Sequence, residues 1–187
     1  MVSILDTNYK LHHFKDEYDG DIKLNDSGIE TLGGFPKVVK GHVLISGSEL
    51  KNLKGTLRKV TRELHVKNSK LTSLEGCPSC SYLALGGNKL KNLKGCSKAV
   101  DKLYVQDNPI ESLEGCPKNL TKLRVRKNKH FKTDEDYLDE IIRLNIKVES
   151  LSIMKDSNGI GGVYDMNDIM KYKELKKLGS FKKFLNL

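Results

Sequence analysis

The chain has 187 residues, of which 37% are hydrophobic and 30% are charged, and it contains no tryptophan. It is long enough to bury a core, and its composition is too apolar for a disordered chain. No uncharged apolar stretch reaches the roughly 18 residues of a membrane-spanning helix, and the first residues lack the pattern of a signal peptide. Four cysteines in a chain of this size do not indicate a secreted disulfide scaffold. We therefore expect a cytoplasmic protein without a membrane span.

The net charge of +9 is concentrated in the middle of the chain. Residues 41–131 carry 18 basic and 7 acidic side chains, whereas residues 1–40 carry 5 and 7, and residues 132–187 carry 10 of each. An excess of this size can attract nucleic acid, anionic lipid or an acidic protein. The alternative is that lysine only keeps exposed turns soluble.

The same middle region repeats itself every 19–21 residues. The word SLEGCP occurs at Ser73–Pro78 and again, unchanged, at Ser112–Pro117. Apolar residues stand at the first and third positions of all six copies. The first five also have an apolar residue at the eighth position, leucine at the eleventh and glycine at the thirteenth, whereas the sixth has His130 at its eighth. The residues at the first position are Ile22, Val43, Leu64, Leu83, Leu103 and Leu123. The glycines are Gly34, Gly55, Gly76, Gly95 and Gly115.

Each copy predicts one short strand. The alternation in Leu83-Ala84-Leu85 has the period of two that is typical of a strand. Every strand returns in the same sense after about 20 residues, so the strands stack in parallel, at roughly 4.8 Å per strand. The residues left over in each copy are too few for a helix with two turns. The repeated glycine allows a turn with positive φ. The asparagines of the repeat are expected to hydrogen-bond to backbone groups that have no partner in the turn.

This frame, L-x-x-L-x-G-C-P with Asn88, Asn108 and Asn128 at a fixed position, resembles the leucine-rich repeat family, in the short form of bacterial and bacteriophage proteins. Residues 19–131 match it as six copies. The resemblance implies an α/β solenoid with a curved parallel sheet of about six to seven short strands and a non-helical convex side. Residues 1–18 are then expected to form an N-terminal cap.

Residues 132–187 change period and predict a helix-strand-helix repeat and cap. Thr133 and the acids after it predict a helix start. Residues 147–153 alternate, which predicts one more parallel strand, and 155–164 are expected to form a glycine-containing loop. A helix is expected from about Asp165 to Leu178 and a short one from about Ser180 to Leu185. Their capping residues would be Ile169, Tyr172, Leu175 and Phe184. Docking of a partner by these helices is the alternative.

Nothing in the sequence predicts catalysis, a cofactor or a metal. Cys77 and Cys80 form a C-x-x-C, but Cys77 stands in a repeat column where cysteine acts as a small buried apolar residue. A zinc site would need a further pair of ligands at the right spacing. The segment 156–161 begins like a calcium loop, but Ile160 stands where the pattern needs an oxygen ligand and Asn167 where it needs a glutamate. We expect a turn there, and a protein that is not an enzyme.

The outward side chains of the strands predict a binding surface on the concave face of the sheet. This face is acidic at its first strand, flat at Gly86 and Gly87, and basic at its last strand. Tyrosine beside arginine is typical of interaction hot spots. The candidate partner-binding residues are His65, Lys67, Tyr82, Lys102, Tyr104, Lys122, Arg124, Arg126 and Lys127.

Three functions are compatible with this surface. The first is a protein-binding module for a partner with an acidic surface. The phage-type repeats imply a viral protein that binds, and inhibits or redirects, a host enzyme or defence protein in the host cytoplasm. The second is a nucleic-acid-binding protein that uses the basic end, whose affinity would fall steeply with salt. The third is a virion or assembly component that associates through the C-terminal helices.

Overall fold

A computed structural model describes residues 16–155 and 159–178 of the chain. The elements in chain order are β1 (Glu17–Tyr18), β2 (Ile22–Asn25), β3 (Val38–Val39), β4 (Val43–Ser46), β5 (Lys59–Val60), β6 (Glu63–Lys67), β7 (Tyr82–Ala84), β8 (Lys102–Tyr104), β9 (Asn119–Arg126), α1 (Asp134–Arg143), β10 (Lys147–Met154), β11 (Ile160–Asp165) and α2 (Met166–Lys177). Most of the expected N-terminal cap and the short helix expected near 180–185, with Phe184, lie outside the described residues.

The main sheet joins eight strands of the described chain in the order β11-β10-β9-β8-β7-β6-β4-β2. Every neighbouring pair is parallel except β10 with β11. Leu83 pairs with Leu64 on one side and with Leu103 on the other, so equivalent repeat positions stack in register. Residues 19–133 contain no helix. The predicted α/β solenoid is confirmed, and so is the additional parallel strand, which is β10.

A second sheet, β1-β3-β5, lies on another side of each coil and is also parallel. Its strands have two residues each, and a bridge from Lys59 to Ser79 extends the pairing to the next coil. This sheet is not predicted from the sequence, because a two-residue strand is too short to show an alternating pattern. It supplies backbone hydrogen bonds on a side of the solenoid that the repeat pattern leaves unassigned.

The loop predicted for residues 155–164 is wrong over its second half. Residues 160–165 form β11, which pairs antiparallel with β10, with Leu151 opposite Tyr164. Gly161 permits this pairing, because a Cβ atom there would collide with the carbonyl oxygen of Ile153. Two adjacent glycines normally indicate a loop. Here the free edge of β10 offers backbone partners that a sequence pattern does not show.

The two helices in the described residues cover the end of the solenoid. Thr133 caps α1, and its hydroxyl accepts a bond from the Asp136 amide at 3.2 Å, as the sequence predicts. The predicted helix near 165–178 is confirmed as α2. Ile169 and Tyr172 are buried against the core, as expected, and the Tyr172 hydroxyl donates to Asp139 of α1 at 2.8 Å. The buried apolar residues of the strands and of the two helices therefore form one continuous core.

Asparagines hold the turns between coils, as predicted. Asn108 accepts a hydrogen bond from the Leu90 amide at 3.0 Å and donates to the carbonyls of Leu85 and Val105. Asn88 makes the equivalent bonds one coil earlier. These side chains are almost fully buried, so they satisfy backbone groups that water cannot reach.

Two structural features require glycine at this position of the repeat. Gly34, Gly76, Gly95 and Gly115 have φ between 81° and 88°, a region that other residues rarely enter. Gly55 does not share this conformation, so the expected positive φ is wrong there. It is instead in a bridge with Leu32 of the previous coil, whose backbone would collide with a Cβ atom. Close stacking of coils, as well as turn geometry, therefore requires glycine.

Candidate partner-binding face

One face of the main sheet packs on the core and the other is free of core contacts. We call the second face, predicted to be concave, the open face. Its side chains form rows across the strands because the coils are in register. One row is His42, Glu63, Tyr82, Lys102 and Lys122, and the next is Leu44, His65, Ala84, Tyr104 and Arg124.

Three rings and a guanidinium form a continuous stack across four strands of the open face. The ring centroids of His65 and Tyr82 are 5.3 Å apart, and those of Tyr82 and Tyr104 are 4.9 Å apart. The Arg124 guanidinium carbon lies 4.9 Å from the centroid of Tyr104, on the next strand. We call this arrangement the ring stack. Each tyrosine ring therefore has a partner on both of its faces, and its edge and hydroxyl remain for contact with a partner.

A small residue makes the ring stack geometrically feasible. Tyr82 is not opposite Tyr104 in the sheet. Instead, Ala84 is the residue in register between His65 and Tyr104. Tyr82 reaches both rings along the diagonals, which are within reach of aromatic side chains. Ala84 is only 2% exposed although it points away from the core, because the neighbouring rings cover it.

The basic residues of the open face divide into two groups. Arg126 is paired with Asp107 at 2.9 Å, and Lys127 with Asp134 at 2.6 Å. Both are predicted partner-binding residues, and the structure places them in ion pairs within the chain. The other predicted cations form no ion pair with any residue that the structure describes. They are Lys67, Lys102, Lys122 and Arg124, and the last three lie beside the ring stack.

Four of the lysines away from the strands are paired with glutamates of neighbouring coils. Lys54 pairs with Glu75 at 2.8 Å, and Lys94 pairs with Glu114 at 3.1 Å. The pairs of Lys91 with Glu111 and of Lys70 with Glu49 follow the same pattern. Exposed pairs of this kind add little to stability. They cancel part of the positive charge on that side of the solenoid, where Lys51, Lys89 and Lys98 have no ion pair among the described residues.

The opposite end of the ring stack is held by Glu63. Its carboxylate lies 2.9 Å from His65 Nε2 and 3.8 Å from His42 Nδ1. Earlier along the sheet, Asp21 accepts the His42 amide at 2.8 Å, and this bond holds the pKa of Asp21 below its usual value. Asp21 of the predicted acidic end and Glu63 therefore both bond within the chain.

Tyr82 and His65 are neutral at pH 7. Burial, with the Glu63 carboxylate nearby, raises the pKa of Tyr82 to about 12, so its hydroxyl remains a donor. Burial and the charge of Lys67 lower the pKa of His65, although Glu63 opposes this. A neutral imidazole can stack on Tyr82 without the cost of a buried charge.

The lowered pKa of His65 predicts a stability change in weak acid. Because the unfolded chain takes up the proton first, stability present above about pH 6.5 is lost as the pH falls below that value. We expect the melting temperature to fall between pH 7.5 and pH 5.5, and to fall less in a His65→Phe variant. The exposed His130, replaced by asparagine, is the control. An equal fall in wild type and His65→Phe would contradict the assignment.

The other candidate sites do not gain support from the geometry. Within the described part of the chain, histidine, cysteine and carboxylate side chains do not gather in the groups of three that a metal ion needs. All four cysteines are free, and Cys77 and Cys96 are half-buried rather than fully buried as predicted. The start of the calcium-like loop lies outside the described residues. Neither helix among the described residues is long and apolar enough to cross a lipid bilayer.

Comparison with known proteins does not add a function. The chain matches no protein-family model, and comparisons with curated proteins and with solved structures find no similar protein. The open face is therefore interpreted from its own chemistry. Its residues were predicted one by one from the repeat register, whereas the ring stack and the division of the cations into paired and unpaired groups were not.

Proposed function

We propose that the chain is a non-enzymatic protein-binding module whose open face contacts an acidic surface of a partner protein. The observation that carries this proposal is the cluster of Lys102, Lys122 and Arg124, which have no ion-pair partner among the described residues, beside the ring stack. Elsewhere on the solenoid, four lysines are paired with glutamates of neighbouring coils, and the lysines without such a pair do not lie beside a ring stack. An uncompensated cluster on a rigid sheet is a site at which carboxylates of another molecule are favoured.

The ring stack supports a protein interface because it is already ordered. Tyrosine and arginine are the residue types that dominate binding energy at protein interfaces. Here stacking fixes the side-chain positions of Tyr82, Tyr104 and Arg124 before a partner arrives, so less conformational entropy is lost on binding. The protonated Tyr82 hydroxyl can donate to a carboxylate that the neighbouring cations attract.

The same geometry disfavours a nucleic-acid partner. Bases bind single-strand proteins by stacking on exposed aromatic faces. Tyr82 and Tyr104 are in direct contact at 4.9 Å, and Arg124 and His65 cover the outer faces of the pair. A base has no free ring face to stack on. Lysines could still hold phosphates, so nucleic acid is the alternative that the experiment below must separate.

The biological role that we propose rests on the resemblance of the repeats to the leucine-rich repeat family. We assign the chain to the short bacterial and bacteriophage form of these repeats. In that case it is a viral protein that acts in the host cytoplasm, where it binds a host enzyme or defence protein and inhibits or redirects it. The in-register parallel strands and the asparagine bonds support this assignment.

Charge reversal tests the proposal. We expect tagged wild-type protein to retain one host protein from a nuclease-treated bacterial lysate, and Lys122→Glu/Arg124→Glu to bind that protein about 100-fold more weakly. The measurement is a pull-down with mass spectrometry, followed by titration of the purified partner. Lys91→Glu/Lys94→Glu makes the same change of charge off the strands and should leave the affinity unchanged.

Two results would contradict a protein partner at this face. Equal losses of affinity in Lys122→Glu/Arg124→Glu and in Lys91→Glu/Lys94→Glu would mean that binding depends on the net charge of the protein and not on the open face. Recovery that disappears after nuclease treatment, with an affinity that falls steeply with salt, would indicate nucleic acid.

A further inference from the structure

Three cysteines occupy equivalent positions in three consecutive coils. Cys77, Cys96 and Cys116 each follow the turn glycine, and each amide donates to the carbonyl of the leucine three residues earlier, at 2.9, 3.0 and 2.9 Å. The three turns therefore have the same conformation. Because the solenoid repeats at one strand spacing, equivalent atoms of neighbouring turns are separated by about 4.8 Å.

The coils that carry Cys77 and Cys96 are stacked in direct contact. A Cβ atom added to Gly95 would lie 2.8 Å from the amide nitrogen of Glu75, which shows how closely the two turns approach. The Cα atoms joined by a disulfide are usually about 4.4–6.8 Å apart. One coil spacing falls in this range, so the turns of Cys77 and Cys96 lie at a distance that a disulfide can join.

The four cysteines differ in exposure and acidity. Cys80 and Cys116 are 3% and 6% exposed, and burial raises the pKa of each to about 12. Cys77 and Cys96 are half-buried. The interaction between these two thiols lowers the pKa of Cys77 and raises that of Cys96. Cys77 is therefore the sulfur that reacts first, because the thiolate is the nucleophile.

A cavity of about 510 Å³ lies beside one member of this pair. It is lined by Cys96 and by Cys116 of the next coil, together with Lys98 and Lys118. Two lysines at its margin favour an anionic reactant over a neutral one. Glutathione disulfide is a small disulfide with carboxylates, and it matches this combination of size and charge.

We propose that Cys77 and Cys96 form a redox modification site, at which a disulfide of the glutathione class oxidises them to a disulfide that joins two neighbouring coils. This site lies outside the open face and does not depend on the function proposed for that face. The bond would form on the turns and leave the strands of the open face in place.

The reaction is two successive thiol–disulfide exchanges. The Cys77 thiolate attacks one sulfur of glutathione disulfide, which breaks that S–S bond and releases one glutathione thiolate. Cys96 then gives its proton to the released glutathione thiolate. The resulting Cys96 thiolate attacks the Cys77 sulfur of the mixed disulfide, and the second glutathione leaves. Two protein thiols are oxidised, one small disulfide is reduced to two thiols, and both protein protons end on glutathione.

The test uses reduced full-length protein in mixtures of oxidised and reduced glutathione, quenched with acid and measured by intact mass. We expect a loss of two hydrogens without bound glutathione. A non-reducing tryptic digest should link the peptide 71–89 to the peptide 95–98. Cys96→Ser should instead retain one glutathione on Cys77, because the second exchange is no longer available.

Matched variants identify the pair. Cys80→Ser and Cys116→Ser should still lose two hydrogens, whereas Cys77→Ser should not. Thr56 occupies the equivalent position of an earlier coil, so a hydroxyl side chain fits this column, and circular dichroism verifies folding. The proposal is overturned if folded wild-type protein keeps all its thiols at every glutathione ratio. A Cys77–Cys80 link, or a wild type that stops at the mixed disulfide, also overturns it.

Discussion

Replacing Asn108 with alanine is expected to lower the free energy of unfolding by about 3 kcal/mol, because buried backbone groups lose their hydrogen-bond partner. Asn108 is 6% exposed. Its amide nitrogen donates to the Leu85 carbonyl at 2.8 Å, and its oxygen accepts the Leu90 amide at 3.0 Å. Alanine can replace neither bond, and water cannot reach the groups. Urea denaturation followed by circular dichroism measures the change.

Two further variants make this prediction specific. Asn119→Ala removes an exposed asparagine at the start of β9 and should change stability by less than about 0.5 kcal/mol. Asn108→Ser should give an intermediate loss, because Ser69 occupies the equivalent position of an earlier coil and makes only some of the bonds. If Asn108→Ala were as stable as Asn119→Ala, the asparagines would not be holding the coils together.

Replacing Gly76 with alanine is also expected to cost about 3 kcal/mol, from positive φ together with overpacking. Gly76 has φ +84°, where an L side chain is strained. A Cβ atom would also lie 2.7 Å from the carbonyl carbon of Leu53 and from the Cα of Lys54, in the preceding coil. Backbone atoms cannot rotate away as a side chain can, so the two coils must separate. The measurement is again the free energy of unfolding in urea.

Gly33→Ala is the matched control for Gly76→Ala. A Cβ atom on Gly33 would meet only the Thr31 side chain, at 3.4 Å, and Gly33 does not have a positive φ. We expect little or no loss of stability there. Equal effects at the two glycines would show that loss of chain flexibility, and not stacking of the coils, sets the cost.

Much of the solenoid could be predicted from the sequence because its contacts connect equivalent positions one repeat apart. Leu83 contacts the coils of Leu64 and Leu103, and all three share one column of the repeat. The buried asparagine and the turn glycine follow from the same register. The second sheet also pairs one repeat apart, but it was missed because its two-residue strands are too short to show an alternating pattern. The antiparallel β11 was missed because it pairs with β10 outside the repeated columns.

The candidate site was only partly predictable for a similar reason. The register placed Tyr82, Tyr104 and Arg124 on one face, but Tyr82 and Tyr104 are diagonal neighbours, and their contact depends on the small Ala84 between strands. Likewise, nothing in the repeat distinguishes Arg126 from Arg124. Arg126 reaches Asp107 and is neutralised, whereas Arg124 lies over a tyrosine ring.

The sequence by itself determined the parallel stacking, the faces of the strands and the positions of the buried polar residues. These properties follow from a period of two within a strand and of about 20 along the chain. Only the tertiary structure decided which cations stay unpaired, which rings stack and which two thiols meet. Those outcomes depend on the distance between side-chain ends, and that distance is set by packing between coils rather than by the spacing of residues along the chain.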